Sequence, residues 1–294
     1  MTSINLCFLL LDSINIKLVL VFLTLLDKSS LSYHHVKKIF KFFLNKIPRP
    51  LLIKASYAVR PAIALYYRGD CYEDPIDGRT FRSFLPYGYV NVRENVLSPS
   101  TLSLERHRLL WLYLQRELKI FDKKIDLLHF APEQCFYDRF RESANINYLT
   151  TDLNSPLADV HADICNLPFE GDSYDLILCN HVLEHIPDDE TAMREIYRVL
   201  KPGGTAILQI PLDMSREVTY EDDSITDRDE RERIFGQYDH VRVYGMDYFE
   251  RLDSIGFKVD AVDYTKTLTA DQIDRYRLAP GELIPVVRKP ITEA

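Results

Sequence analysis

A mainly parallel, doubly wound α/β sheet is the fold class this sequence predicts, and two observations carry it. From residue 124 onward, strand-like and helix-like runs alternate along the chain. At each point where an apolar strand-like run stops, a polar residue stands, as expected where a parallel sheet opens its strand tips to a ligand. The runs KKIDLLHF, INYLTTDL, YDLILCN and TAILQIPL have strand length, and helices or turns separate them.

The chain falls into three zones of unequal charge. Residues 1–69 hold ten Lys/Arg against Asp12 and Asp27, a net of +8, which leaves −16 on the other 225 residues. An acidic body of that kind excludes nucleic acid as a partner, because such affinity comes largely from Lys/Arg facing phosphates. The apolar run INIKLVLVFLTLL, residues 14–26, would reach only about 20 Å as a helix, against a hydrocarbon core of ~30 Å. The tract that follows, HHVKKIFKFFLNKIPRPLLIK, is basic and amphipathic. Two readings stand for this arm: peripheral contact with an anionic membrane surface, or a helical arm packed on the body. Five cysteines without a CxxC pair argue against a secreted disulfide framework, so a cytoplasmic setting, with or without membrane association, is expected.

Residues 70–120 form a small second zone rich in Tyr, Phe, Pro and Gly. It closes on a helix, SLERHRLLWLYLQREL, with Ser103 as the expected cap and Leu110, Trp111, Leu114 and Leu118 on one face. Residues 121–294 make the main domain. There DDETAMREIYRVL opens with acids at its positive end and stops at KPGG; MDYFERLDSIGF ends at Gly256; TADQIDRYRL begins with the capping-box pair Thr269 and Gln272.

The polar strand tips are the candidate site. They comprise LHFAPE after the first strand, with His129, Phe130, Ala131, Pro132 and Glu133; Asp152 after the second; Asp163 with Ile164 in HADI; and Asn180 with His181 after YDLILC. Asp152 follows Glu133 by 19 positions, the offset at which an acid meets the ribose of an adenosine-containing cofactor. The same residue also reads as the start of the turn DLNSP. A pyrophosphate needs consecutive backbone N–H groups and close approach. Pro132 has no N–H, and Leu127–Arg141 contains no glycine, so dinucleotides are disfavoured. S-adenosylmethionine has the ribose, lacks the phosphates and is cationic, so a carboxylate at Glu133 attracts it.

Taken together, LHFAPE, TTDL, HADICNLPF, YDLILCNHVLEHIPDD, REIYRVLKPGG and AILQIPL resemble the class I S-adenosylmethionine-dependent methyltransferases, in the subgroup whose first loop is LHFAPE, over about residues 124–265. The resemblance implies a Rossmann-like sheet of about seven strands with the last antiparallel, the cofactor over the first two strands and an acceptor pocket above the fourth. It further implies that His129 to Glu133 meet the methionine part, Asp152 the ribose, Asp163 and Ile164 the adenine, and that Asn180 and His181 sit beside the transferable methyl. This sequence departs from the family at His129, where an acid is usual, and in the missing glycines. In similar proteins the second zone carries two CPxC-like pairs, a zinc ribbon; DPID (Asp74, Asp77) and SPST (Ser98, Thr101) replace them here. Hydroxyls are poor zinc ligands, so no metal is expected, and packing of Phe81, Phe84, Leu85 and Tyr87 is expected to hold this zone instead.

Transfer from a sulfonium asks mainly for alignment, with a base only for a hydroxyl or protonated amine acceptor. His181, and Asp239 with His240 in FGQYDHVRVYG, are the candidates for that role; His240 equally reads as a structural polar group. The acceptor is a small molecule, a sugar or a lipid-linked intermediate, and the charged insertion REVTYEDDSITDRDERERIFGQ reads as a solvated helix or lid beside it. Two rival readings exist. HVLEH spells H-x-x-E-H, an inverted zinc-peptidase pattern, but Pro187 and the preceding strand disfavour the helix it needs. A non-catalytic adaptor built on the same fold is the other.

Overall fold

The computed structural model describes residues 49–88 and 92–291. The expected arm therefore lies mostly outside the described residues; its last part is a helix, α1 (Arg49–Tyr67). Among the described residues no helix is long and apolar enough to cross a membrane.

Two antiparallel hairpins follow. The first is β1 (Arg68–Asp74) with β2 (Arg79–Phe81), the second β3 (Leu85–Tyr87) with β4 (Arg93–Leu97). Phe81, Phe84 and Leu85 are fully buried, and Tyr87 packs on the cluster formed by Leu85, Val96, Leu97, Leu102 and Leu104, as the apolar spacing predicts. DPID and SPST close around a buried carboxylate. Asp74 accepts from the Ile76 N–H at 3.0 Å, from the Ser103 hydroxyl at 3.0 Å and from the Thr101 hydroxyl. Ser103 is thus spent on Asp74 and does not cap the helix α2 (Glu105–Arg116), whose first turn is instead fixed by Leu104 N–H donating to His107 Nδ1 at 3.0 Å. That helix is buried from His107 to Leu114, on more than the one face expected.

The chain divides into two compact units, one of residues 114–264 and 281–291, the other of 49–113 and 265–280. The expected boundaries, 70–120 and 121–294, would put 265–280 with the sheet. The segment instead groups with the hairpins, where Tyr276 and Arg277 carbonyls accept from the buried Arg108 at 2.6 and 2.8 Å. It contains α7 (Ala270–Arg275), opened by the Thr269–Gln272 capping box.

The larger unit is a seven-stranded sheet. Its strands are β5 (Ile125–Phe130), β6 (Ile146–Asp152), β7 (Val160–His161), β8 (Tyr174–Cys179), β9 (Leu200–Ile207), β12 (Lys258–Val262) and β13 (Ile284–Arg288), in the order β12-β13-β9-β8-β5-β6-β7. β13 pairs antiparallel with both neighbours and every other pairing is parallel, a Rossmann-like, doubly wound arrangement. The helices α3 (Gln134–Glu142), α4 (Asp189–Val199) and α6 (Tyr248–Ile255) flank it. Met193 and Ile196 of α4 and Leu252 and Ile255 of α6 bury against Leu128, Ile177 and Ala206 of the sheet. Burial of side chains of this size contributes about 1.5–3 kcal/mol each. Gly256 ends α6 at φ +109°, a left-handed conformation that glycine takes at no steric cost.

Two boundaries depart from expectation. β9 begins at Leu200, so KPGG lies inside the strand and not in a loop before it. The charged insertion carries a short ladder, β10 (Tyr220–Glu221) with β11 (Arg242–Val243), and the helix α5 (Arg228–Phe235), whose exposed Arg and Glu match the solvated reading.

Candidate functional site

Strand order reverses between β5 and β8: from β5 the chain runs outward through β6 to β7, then returns to β8 and continues to β9. A crevice opens outside the strand ends at such a switch point. The residues that end β5 and β8 meet there. The Glu133 carboxylate accepts from Asn180 Nδ2 at 3.0 Å and from His129 Nε2 at 2.9 Å.

Local conformation makes that meeting. Ala131, one residue past β5, and His181, two residues past β8, have φ of +46° and +54°. For a residue with a Cβ the left-handed region costs about 1–2 kcal/mol, and strain of that kind collects at functional sites. The LHFAPE loop therefore makes the turn that glycine usually supplies, but with alanine. Pro132 is buried behind it, and Glu133 opens α3 as its N-cap without a side-chain cap bond, so its carboxylate is turned back to His129 and Asn180.

His129 is fully buried and uses both ring nitrogens, so it props Glu133 from beneath and does not face the crevice as the resemblance implied. Burial raises the Tyr148 phenol well above its ordinary value, so its hydroxyl stays protonated and donates to His129 Nδ1 at 2.9 Å. Nε2–H then donates to Glu133. Phe130 is buried in the core at the strand end. Asp152, at the tip of β6, accepts on one oxygen from the Asn154 and Ser155 N–H groups at 2.7 and 2.6 Å, so it does start the turn DLNSP while standing beside the switch point. Asp163 is exposed past β7 and accepts from Cys165 N–H at 2.9 Å, with Ile164 packed on Phe130 and Leu167. Asn180 is 1% exposed, and its Oδ1 has no hydrogen-bond partner among the described residues. Gln209, buried past β9, has an unpartnered Oε1 as well.

HVLEH is not an α-helix. Leu183–His185 is one 3₁₀ turn and His181 lies outside it, so the two histidines do not share the helical face a peptidase requires. The turn is held from behind by Arg242, which is 3% exposed and donates to the carbonyls of Leu183, Ile186 and Pro187 at 3.1, 2.5 and 2.8 Å. Asp189 is likewise held by Arg251 at 2.8 Å and by the Tyr244 hydroxyl at 2.7 Å.

His181, Asp239 and His240 come together in one polar cluster with Glu184 and His185. His181 Nδ1 is 3.3 Å from Glu184 Oε1, His185 Nδ1 is 3.4 Å from Asp239 Oδ2, and the His185 and His240 rings cross at 4.7 Å. Burial pushes His185 down to about 4, lowers His240, and raises Asp239 to about 6. Both imidazoles are therefore neutral at pH 7, able to accept a proton or donate a lone pair.

Residues 134–208, from α3 through β9, match the family model described as a methyltransferase domain. Over 48 residues the chain is 44% identical to a demethylmenaquinone methyltransferase of Staphylococcus epidermidis, a stretch covering 16% of this chain and 20% of the relative. The chain thus matches about a fifth of the length of these curated relatives. Among solved structures it is similar to the (4+2)-cyclase SpnF, at 17% identity and a TM-score of 0.45 over 64% of this chain and 84% of that one. It is also similar to an S-adenosylmethionine-dependent methyltransferase from Mesorhizobium loti, at 17% identity and a TM-score of 0.42 over 62% and 98%.

Proposed function

We propose that this chain is an S-adenosylmethionine-dependent methyltransferase acting on a small-molecule, sugar or lipid-linked acceptor. One observation carries the reading: a carboxylate, Glu133, held at the switch point between β5 and β8 beside the unpartnered Oδ1 of Asn180, in a loop whose Pro132 has no N–H to offer a phosphate. Acceptor oxygens gathered at the strand tips suit a cation and repel a diphosphate. The methyltransferase-domain match over 134–208 supports the same conclusion.

The residues fit the cofactor. Glu133 and Asn180 would hold its cationic amino acid end, Asp152 its ribose, and Asp163 with Ile164 its adenine. When bound, it supplies an already activated methyl group, so the protein's part is orientation and exclusion of water. His129 and Tyr148 fix the Glu133 carboxylate; the Arg242-held turn fixes His181 at the tip of β8. His181, at the tip of β8, would take the proton of a hydroxyl acceptor.

Calorimetry of the full chain with S-adenosylmethionine and S-adenosylhomocysteine tests the reading. At one hundred times the dissociation constant either ligand should stabilise the fold by about 2.7 kcal/mol, seen as a raised melting temperature. No heat and no melting shift with either would remove the methyltransferase reading and favour an adaptor.

A further inference from the structure

We propose that Glu184, His185 and His240 form a binding site for one divalent first-row transition ion, with zinc the best-matched. This reverses the expectation of no metal drawn from the sequence, and it uses a different residue set from the H-x-x-E-H peptidase pattern. Glu184 and His185 come from the 3₁₀ turn after β8, and His240 from the loop between α5 and β11. All three are buried, and one ligand atom from each lies within 4.8 Å of the others. Zinc holds nitrogen and carboxylate oxygen at about 2.0–2.2 Å, so these atoms need close in by only about an ångström.

Hydrogen bonding at the far side of each ring points the same way. A metal-bound histidine donates its second N–H to a carbonyl or carboxylate, which fixes the tautomer and the ring orientation. His240 Nδ1 is 3.0 Å from the Phe235 carbonyl oxygen, and its Nε2, on a residue 4% exposed, has no hydrogen-bond partner among the described residues. His185 Nδ1 lies 3.4 Å from both the backbone oxygen and the carboxylate of Asp239, leaving Nε2 as its ligand atom. Neither carboxylate oxygen of Asp239 accepts a hydrogen bond in the described residues. A carboxylate against a buried imidazole is the outer partner that a cation on that imidazole completes. Two imidazoles and one carboxylate are the donor set of open zinc and non-haem iron(II) sites, which keep positions for a further ligand. Hydrogen bonds alone do not account for the cluster, since buried polar groups are ordinarily paired.

Equilibrium dialysis of the full 294-residue chain against zinc chloride, followed by elemental analysis, is expected to leave one zinc per chain. Cobalt(II) in its place is expected to give visible d–d bands of a nitrogen–oxygen site. H185A and H240A should each reduce zinc occupancy to about one tenth, and Asp239→Asn should weaken zinc affinity about 10- to 100-fold. Zinc should raise the melting temperature of the parent chain and leave that of the H185A/H240A double variant unchanged, with circular dichroism reporting that the variant folds. Absence of stoichiometric zinc and of cobalt bands in the parent chain would overturn the site, as would full occupancy in the folded double variant. The same samples titrated with S-adenosylmethionine separate this site from the proposed function. Zinc bound without the cofactor defeats only the latter; cofactor bound without zinc defeats only the former.

Discussion

Two buried polar clusters, one in each compact unit, solve the same electrostatic problem in opposite ways. Around Asp74 in the hairpin unit, the carboxylate is fully buried and takes three donors, Ile76 N–H, Thr101 Oγ1 and Ser103 Oγ. Around Glu184 in the sheet unit, His240 Nε2 and both oxygens of Asp239 have no hydrogen-bond partner among the described residues. The first spans DPID and SPST, and a network of hydroxyls and a backbone N–H has closed it. The second overlaps HVLEH but draws on a different residue set from the peptidase pattern, with ligand atoms of Glu184, His185 and His240 within 4.8 Å of one another. A buried polar group that is fully paired supports the fold; one left open at a cost of about 1–3 kcal/mol is a feature to be explained by what it binds.

The sharpest way to break this contrast is Asp74→Ala, which strips the acceptor from three buried donors. A loss of about 3–5 kcal/mol is expected in urea unfolding. A loss under about 1 kcal/mol would show that the network is not structural. At the strand tips, Asp152→Ala should weaken S-adenosylmethionine binding by about 10- to 150-fold, the worth of a hydrogen bond to a charged group, read by calorimetry. His129→Ala, which removes a prop and not a contact, should cost about 1–2 kcal/mol in the same titration, and His129→Gln should recover part of it. His240→Leu in the metal-free chain should change stability by less than about 1 kcal/mol, because no complete network is broken; a loss as large as that of Asp74→Ala would erase the distinction between the clusters. Slower methyl transfer with intact cofactor binding is expected from His181→Ala.

The smallest effect belongs to the solvent-facing pair of Asp126 with Lys201. The Lys201 ammonium, 2.7 Å away, holds the Asp126 carboxyl below its ordinary value. A folded-state value below the unfolded one contributes stability above the unfolded value, lost as pH falls through the folded one. Lys201→Met should therefore lower stability at neutral pH by under about 1 kcal/mol, given the exposure of both groups, and the gap should close as pH falls through the folded-state value. Melting curves across pH check it.

Much of this was legible in the chain. The runs KKIDLLHF, INYLTTDL and YDLILCN are strands within one or two residues of their apparent limits, because β-branched and leucine-rich runs bounded by polar residues have few other packings, whereas the strand expected at TAILQIPL starts five residues earlier, at Leu200. Thr269 with Gln272 and Gly256 mark helix ends by local chemistry that needs no tertiary context. The crevice residues follow from strand ends alone. His129 was misplaced because a β5 residue alternates between faces, and one residue decides whether a ring faces ligand or core. Ser103 went to Asp74, a partner 29 residues away that local helix rules do not see. Arg242, in HVRVYG, gave no signal at all: its work is to satisfy carbonyls 55 to 59 residues upstream, a role defined only once the turn exists. Glu184 and His185 were visible as a motif but acquire their partner, His240, only through the insertion's return path.

The guanidinium of Arg108 is fully enclosed, and four of its acceptors are carbonyls of Val96, Ser103, Tyr276 and Arg277, the last two some 168 and 169 residues further along. A nascent chain leaving the ribosome would therefore carry an unsealed first unit through almost all of its synthesis, exposing that charge until every strand of the sheet but β13 has been made. Chaperone dependence, and a sharp loss of expression when residues 276–277 are removed, are the cellular signatures to look for.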